Sequence, residues 1–167
     1  MDNAGKTSLL RFAETGDFIQ TTRTIGVSFD KIEFKELQIP LQDLGGQEAF
    51  RMNWPVFLKH ADLILFVIDS AKEERFEEAK VEFNRVRSLI PNTSTIFFIA
   101  NKQDLEKATS KTEIFKIFDL ENINHKYKYF ETSARTSLGV YELFSELYAQ
   151  ITENVREKPD PYNGLVS

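Results

Sequence analysis

The chain has 167 residues, 41% of them hydrophobic and 28% charged, with a net charge of −5 from 26 acidic and 21 basic residues. That is enough chain for one domain with a sizeable core, and the acidic balance leaves no electrostatic footprint for nucleic acid. These residues include no cysteine, which excludes disulfides, thiolate metal sites and prenyl or palmitoyl attachment among them, and the longest apolar run, residues 63–68, is too short to span a bilayer.

Apolar periodicity alternates along the chain between helical spacing and short solid runs, which predicts an α/β fold with a largely parallel sheet. Residues 9–13 read as the first helix, opened by Gly5, Lys6, Thr7 and Ser8 and closed near Gly16. Residues 28–35 and 37–41 read as two strands joined by a tight polar turn, and so as an antiparallel pair. Residues 62–69 form a buried strand of branched and aromatic residues. Phe76, Ala79, Phe83, Val86 and Ile90 mark one face of a long helix that must stop before Pro91. Residues 95–100 give the next buried strand, 114–118 a short helix and 127–131 an edge strand. Val140, Leu143, Phe144, Leu147, Ile151 and Val155 keep helical spacing to the end of the domain at residue 156. Residues 157–167, with Pro159, Pro161 and Gly164, have little to bury and read as a loose tail.

Ala4, Gly5, Lys6 and Thr7 stand directly before a helix, where a phosphate loop has to be. Backbone N–H groups and the helix N-terminus point at an anion there, and glycine lets the backbone approach it. Lys6 would reach the β- and γ-phosphates, the Thr7 hydroxyl would ligate Mg²⁺, and Ser8 would lie near the α-phosphate. The triplet Gly-Lys-Thr by itself is weak, because it can equally open an ordinary helix. Asp43, Leu44, Gly45, Gly46 and Gln47 add to it. The aspartate ends a strand and can hold a Mg²⁺-bound water, the Gly46 N–H can face a γ-phosphate, and Gln47 can orient an attacking water.

Asn101, Lys102, Gln103 and Asp104 follow a buried strand at the carboxyl edge of the sheet, where open α/β sheets bind ligands. The Asp104 carboxylate can accept from guanine N1–H and the N2 amino group. Adenine lacks both donors and would leave a carboxylate unpaired, a mismatch that polar sites punish strongly. Lys102 can lay its methylenes on the purine face, and Asn101 can tie this loop to the phosphate loop. Thr132, Ser133 and Ala134 follow the next strand, and a backbone N–H at Ser133 or Ala134 can bond guanine O6.

In this order, Gly5-Lys6-Thr7, Thr24-Ile25-Gly26, Asp43 to Gln47, Asn101 to Asp104 and Thr132-Ser133-Ala134 resemble Ras-like small GTPases over nearly the whole chain. Thr24-Ile25-Gly26, the double glycine before Gln47, Arg51 with Trp54, and Asn101-Lys102-Gln103-Asp104 are most similar to the Arf/Sar (Arf-like) group. The resemblance implies a three-layer P-loop NTPase fold with one antiparallel edge strand, and a GTP/GDP switch that uses Mg²⁺ and hydrolyses GTP slowly. It adds Asn3 to the nucleotide site and makes Thr24 a second metal ligand that closes on Mg²⁺ in the GTP state. It also implies effector, exchange-factor and GTPase-activating partners, a monomer, and a cytoplasmic protein that meets a membrane surface only through an N-terminal helix.

The pattern departs from the group in three respects: the effector triad, Arg23 and the missing start. The group's aromatic effector triad is matched here by Val27, Gln42 and Phe57. Arg23 replaces the proline usual before the switch threonine, and reads as solvated surface rather than as an arginine finger. The first loop glycine has no counterpart, and neither does the first strand, which the fold sets at the sheet centre between the strands ending at Asp43 and Asp69. Met1 is expected to be an internal leucine codon read as a start, with roughly two dozen residues before it. The competing reading is a guanine-binding or pseudo-GTPase module without hydrolysis, favoured by the absent glycine and disfavoured by Gln47, Thr24 and Asp43.

Overall fold

The computed structural model describes residues 2–15, 27–34, 37–45 and 47–157. Its strands fall into two hydrogen-bonded groups. β1 (Val27–Phe34) and β2 (Leu37–Leu44) pair antiparallel, with Val27 opposite Leu44 and Phe34 opposite Leu37. β3 (Leu63–Asp69), β4 (Thr95–Asn101) and β5 (Lys126–Thr132) form a parallel sheet in that order. The register sets Asp69 level with Asn101 and Asn101 level with Thr132. Three strands therefore deliver polar residues to one carboxyl edge.

Six helices accompany them among the described residues: α1 (Lys6–Thr15), α2 (Glu48–Arg51), α3 (Trp54–Leu58), α4 (Phe76–Leu89), α5 (Lys111–Phe118) and α6 (Val140–Glu157). α1 contacts α6, whereas α4 contacts α3 and α5, so the helices divide into two sets around the strands, the three-layer arrangement expected. Strand alternation gives neighbouring residues of β4 different partners. Phe98 meets Phe83 of α4 at 5.1 Å and Phe118 of α5 at 4.9 Å, while its neighbour Phe97 meets Phe130 of β5 at 5.0 Å. α4 ends where Pro91 forces Ile90 into an extended conformation, ψ 151°. α5 opens with a reciprocal cap between Ser110 and Glu113.

The structure extends several expected elements. α1 spans Lys6–Thr15 rather than residues 9–13, because the Leu9 N–H already bonds the Gly5 carbonyl at 2.9 Å; the phosphate-loop residues are the helix's own first turn. β2 continues past residue 41 to Leu44, so Asp43 lies within the strand opposite Ser28. The short helices α2 and α3 were not anticipated. Thr24, Ile25, Gly26, Arg23, Gly16, Gly46, Met1 and residues 158–167 lie outside the described residues, as does the side chain of Val27.

Among the described residues no strand joins β2 to β3. The space between them is a cavity of about 800 Å³, walled by β2, β3, α1 and α6 and lined by apolar side chains such as Leu9, Leu44, Leu65 and Leu147. Leu63, Ile64 and Leu65 are consequently only half-buried, whereas all seven residues of β4 are buried. The cavity lies between β2 and β3, the two strands between which the resemblance sets a further central strand.

Candidate functional site

The phosphate-loop residues are folded tightly against β4. Gly5 has φ +87°, and a Cβ there would sit 2.4 Å from Asn101 Nδ2, so both backbone angle and space demand glycine. Asn3 is also left-handed, φ 55°, and Ala4 is fully buried. The Thr7 hydroxyl donates to Asp43 Oδ2 at 2.6 Å, across from α1 to β2. Asp43 is a buried carboxylate, 4% exposed. Lys6 stands beside it. Burial holds the Lys6 ammonium below the usual lysine range, Asp43 and Asp2 oppose that effect, and the nearby charges of Arg51 and Arg75 add to it. Ser8 follows, half-buried on α1.

At the carboxyl edge, Asn101 is 2% exposed and fully engaged. Its Nδ2 donates to the Ala4 carbonyl at 2.8 Å and its Oδ1 accepts from Thr132 Oγ1 at 3.0 Å. One side chain thus fastens the phosphate loop to the two strands that lead to the base loops. Lys102, in a left-handed conformation at φ 70°, turns its Nζ back to Asp69 Oδ2 at 2.6 Å and to the Asn3 carbonyl at 2.8 Å. Its ammonium therefore bridges the end of β3 and the phosphate loop. Ser133 Oγ donates to Asp104 Oδ1 at 2.6 Å, which aims the carboxylate and links the two base loops. The Ser133 N–H donates to the Leu138 carbonyl at 2.9 Å, so of the two backbone donors expected for guanine O6, Ala134 is the better placed.

Gln47 immediately precedes α2. This segment is pinned at several points. Trp54 Nε1 donates to the Gly45 carbonyl at 3.3 Å. Arg51, 5% exposed, donates to Glu82 Oε1 at 3.0 Å and to Glu78 of α4. Arg85 Nη2 reaches the Arg51 carbonyl at 3.5 Å.

The geometry brings Lys6, Thr7 and Asp43 together beside the phosphate loop, and Asn101 and Lys102 fasten that loop to the carboxyl edge of the sheet where Ser133 holds Asp104. The model of the ADP-ribosylation factor family matches residues 1–151. The chain belongs to the ADP-ribosylation factor family. Among curated relatives, it is 35% identical to ADP-ribosylation factor J of Dictyostelium discoideum, over 86% of this chain and 78% of that one. It is 33% identical to ADP-ribosylation factor-like protein 2 of the same organism, over 85% of this chain and 78% of that protein. Among solved structures it is similar to the Arl6 (BBS3) small GTPase of Trypanosoma brucei, solved with the nucleotide analogue GppNp, with TM-score 0.80, 26% identity and coverage of 92% and 94%. The mammalian SRP receptor, 21% identical with TM-score 0.80 over 90% and 96%, shares the fold. This Arf-family chain is a small GTPase, a guanine-nucleotide-binding molecular switch, and nothing in these likenesses favours the pseudo-GTPase reading. Among the described residues no helix is long and apolar enough to cross a membrane.

Sequence reasoning missed three parts of the site. The Thr7–Asp43 bond, the Lys102–Asp69 ion pair and the Ser133–Asp104 bond each join residues at least 29 positions apart. Asp69 had a usable signal, an aspartate at the end of a buried strand aligned with Asn101. In sequence Arg51 is only a marker of the group; the structure makes it a buried ion paired with Glu82.

Proposed function

We propose that the phosphate loop and the carboxyl edge of the sheet together bind GTP and GDP with Mg²⁺ and that Gln47 directs water at the γ-phosphate. The observation that carries this reading is the Thr7 hydroxyl bonded to the buried Asp43 carboxylate at 2.6 Å beside Lys6. A hydroxyl and a carboxylate are hard oxygen donors, the type Mg²⁺ selects. No group of three or more His, Cys, Asp or Glu among the described residues could hold a metal. Mg²⁺ commonly takes few protein ligands and shares the rest with phosphate and water. Thr7 would ligate it directly and Asp43 through a water, with Thr24 added in the GTP state; the ion supplies charge neutralisation on the phosphates.

Each residue of the chain has a definite task. Asn3, Ala4, Gly5 and Gly46 present backbone to the phosphates, Ser8 lies near the α-phosphate, and Lys6 balances charge on the β- and γ-phosphates. Asn101 fixes the loops, Lys102 covers the purine face, and Asp104, oriented by Ser133, reads N1–H and the N2 amino group. Ala134 donates to O6. Gln47 orients the water, and hydrolysis is slow until an activating protein contributes. Exchange factors and effectors are the other partners implied by the family, acting on a monomer in the cytoplasm or at a membrane surface.

Two substitutions test the two ends. Asp104→Asn is expected to weaken GDP and admit xanthosine diphosphate, because the amide matches the altered edge; ATP competing with GTP on equal terms refutes the base assignment. Gln47→Leu is expected to leave GTP affinity within about twofold while single-turnover hydrolysis falls by about tenfold or more. An unchanged hydrolysis rate removes Gln47 from the mechanism.

A further inference from the structure

Arg51, at the end of the helix that follows Gln47, is held by two glutamates one turn apart on α4. The two legs differ. Glu82 is 11% exposed at its side chain, and its partner Arg51 is 5% exposed, so that leg is an anchor within the protein. Glu78 is 42% exposed, a position where an isolated ion pair contributes little. Glu78, however, is shared. One carboxylate oxygen accepts from Arg51, and the other accepts from Arg75 Nε at 3.2 Å and Nη2 at 3.0 Å. The remaining arm of Arg75, Nη1, donates to the carbonyl of Asp2 in the phosphate loop at 2.8 Å. A continuous chain of side chains therefore runs from the Gln47 segment over α4 to the phosphate loop without passing through the nucleotide site.

We propose that Glu78 is a positioning residue that couples the Gln47 segment to the phosphate loop through Arg51 and Arg75. Resting on the assignment of Gln47 to the attacking water, it adds a connection that does not depend on the nucleotide for its continuity. The planar, forked guanidinium suits Arg75 for this, since its Nε–Nη2 edge grips the carboxylate while Nη1 reaches a backbone carbonyl; lysine offers a single point charge. The charges of Arg51 and Arg75 also bear on Lys6, which places the chain of contacts beside the phosphate site. A hydrogen bond on the Asp2 carbonyl restrains the loop that must move when nucleotide leaves. The two arginines on one carboxylate hold α2 in a fixed relation to that loop.

The test uses Glu78→Gln, with the exposed neighbour Glu77→Gln as control. GDP release is followed with a fluorescent nucleotide, hydrolysis in a single turnover, and stability by melting. Glu78→Gln is expected to speed release and slow hydrolysis by about two- to fivefold each, with little change in melting temperature, since Glu78 is the more exposed partner and Glu82 still anchors Arg51. In a Gln47→Leu background the hydrolysis effect should vanish while the release effect remains. Rates equal to those of the Glu77→Gln control overturn the proposal, as does an undiminished hydrolysis effect in the Gln47→Leu background. If Gln47→Leu itself hydrolyses normally, the water assignment fails instead, and the release arm still decides the coupling. Arg75→Lys carries the same decision if Glu78→Gln does not fold: faster release upholds the proposal and unchanged release overturns it.

Discussion

Single residues in this protein are over-determined by their surroundings, and Lys6 shows it best. Its ammonium is buried and holds less tightly to its proton than an ordinary lysine, although Asp43 and Asp2 resist the shift. A phosphate placed against it raises its pKa again. The sign follows: affinity is complete while Lys6 is charged in the empty site, and falls as pH climbs from the empty-site pKa toward the occupied one. GDP affinity measured between about pH 7 and 10 should therefore decline earlier than a normal lysine at about 10.4 would dictate. Lys6→Arg, whose guanidinium does not titrate there, should lose that part of the slope. Any slope from guanine itself is common to both proteins, so parallel profiles would contradict the shifted Lys6. Gly5 could be read in sequence as a loop glycine, but its second constraint, the Asn101 amide 2.4 Å from a would-be Cβ, joins residues 96 positions apart and leaves no local trace.

At the scale of elements, solid apolar runs and 3.6-residue spacing located β3, β4, α4 and α6, because burial on both faces or along one stripe dictates those patterns. The same logic missed α2 and α3. They span four and five residues, too few for a period to develop, and are held by Trp54, Arg51 and Arg85 reaching other elements. The site was legible wherever chemistry is carried by adjacent residues, as in Gly5-Lys6-Thr7 or Asn101 to Asp104. It was illegible where the fold joins side chains far apart in sequence, as in the Thr7–Asp43, Lys102–Asp69 and Ser133–Asp104 contacts. The two-part strand arrangement has an observable signature. β4 is paired on both sides, whereas β3 is paired to β4 on one side and borders the cavity on the other. Successive amides of a strand point to opposite sides. Hydrogen exchange should therefore alternate between slow and fast along β3 while remaining slow throughout β4. Uniform protection along β3 would show that its outer edge is closed in solution.

For the whole molecule, the Phe66, Phe83, Phe98 and Phe118 cluster welds β3, β4, α4 and α5 into one half, while the hairpin of β1 and β2 meets that half across the space walled by β2, β3, α1 and α6. The consequence is calorimetric. Heat capacity rises on unfolding because apolar surface becomes newly hydrated, by about 12–15 cal/mol/K per residue in ordinary domains. Leu63, Ile64 and Leu65 on the β3 wall of that space are only half-buried in the native state, so they contribute less than a full share to that rise. Scanning calorimetry of this chain should accordingly return an increment per residue below that range, and urea titration a correspondingly shallow slope. Filling the space from within, by Leu65→Phe on the half-buried part of β3, should move both quantities upward together, since the same hydrated surface governs each of them.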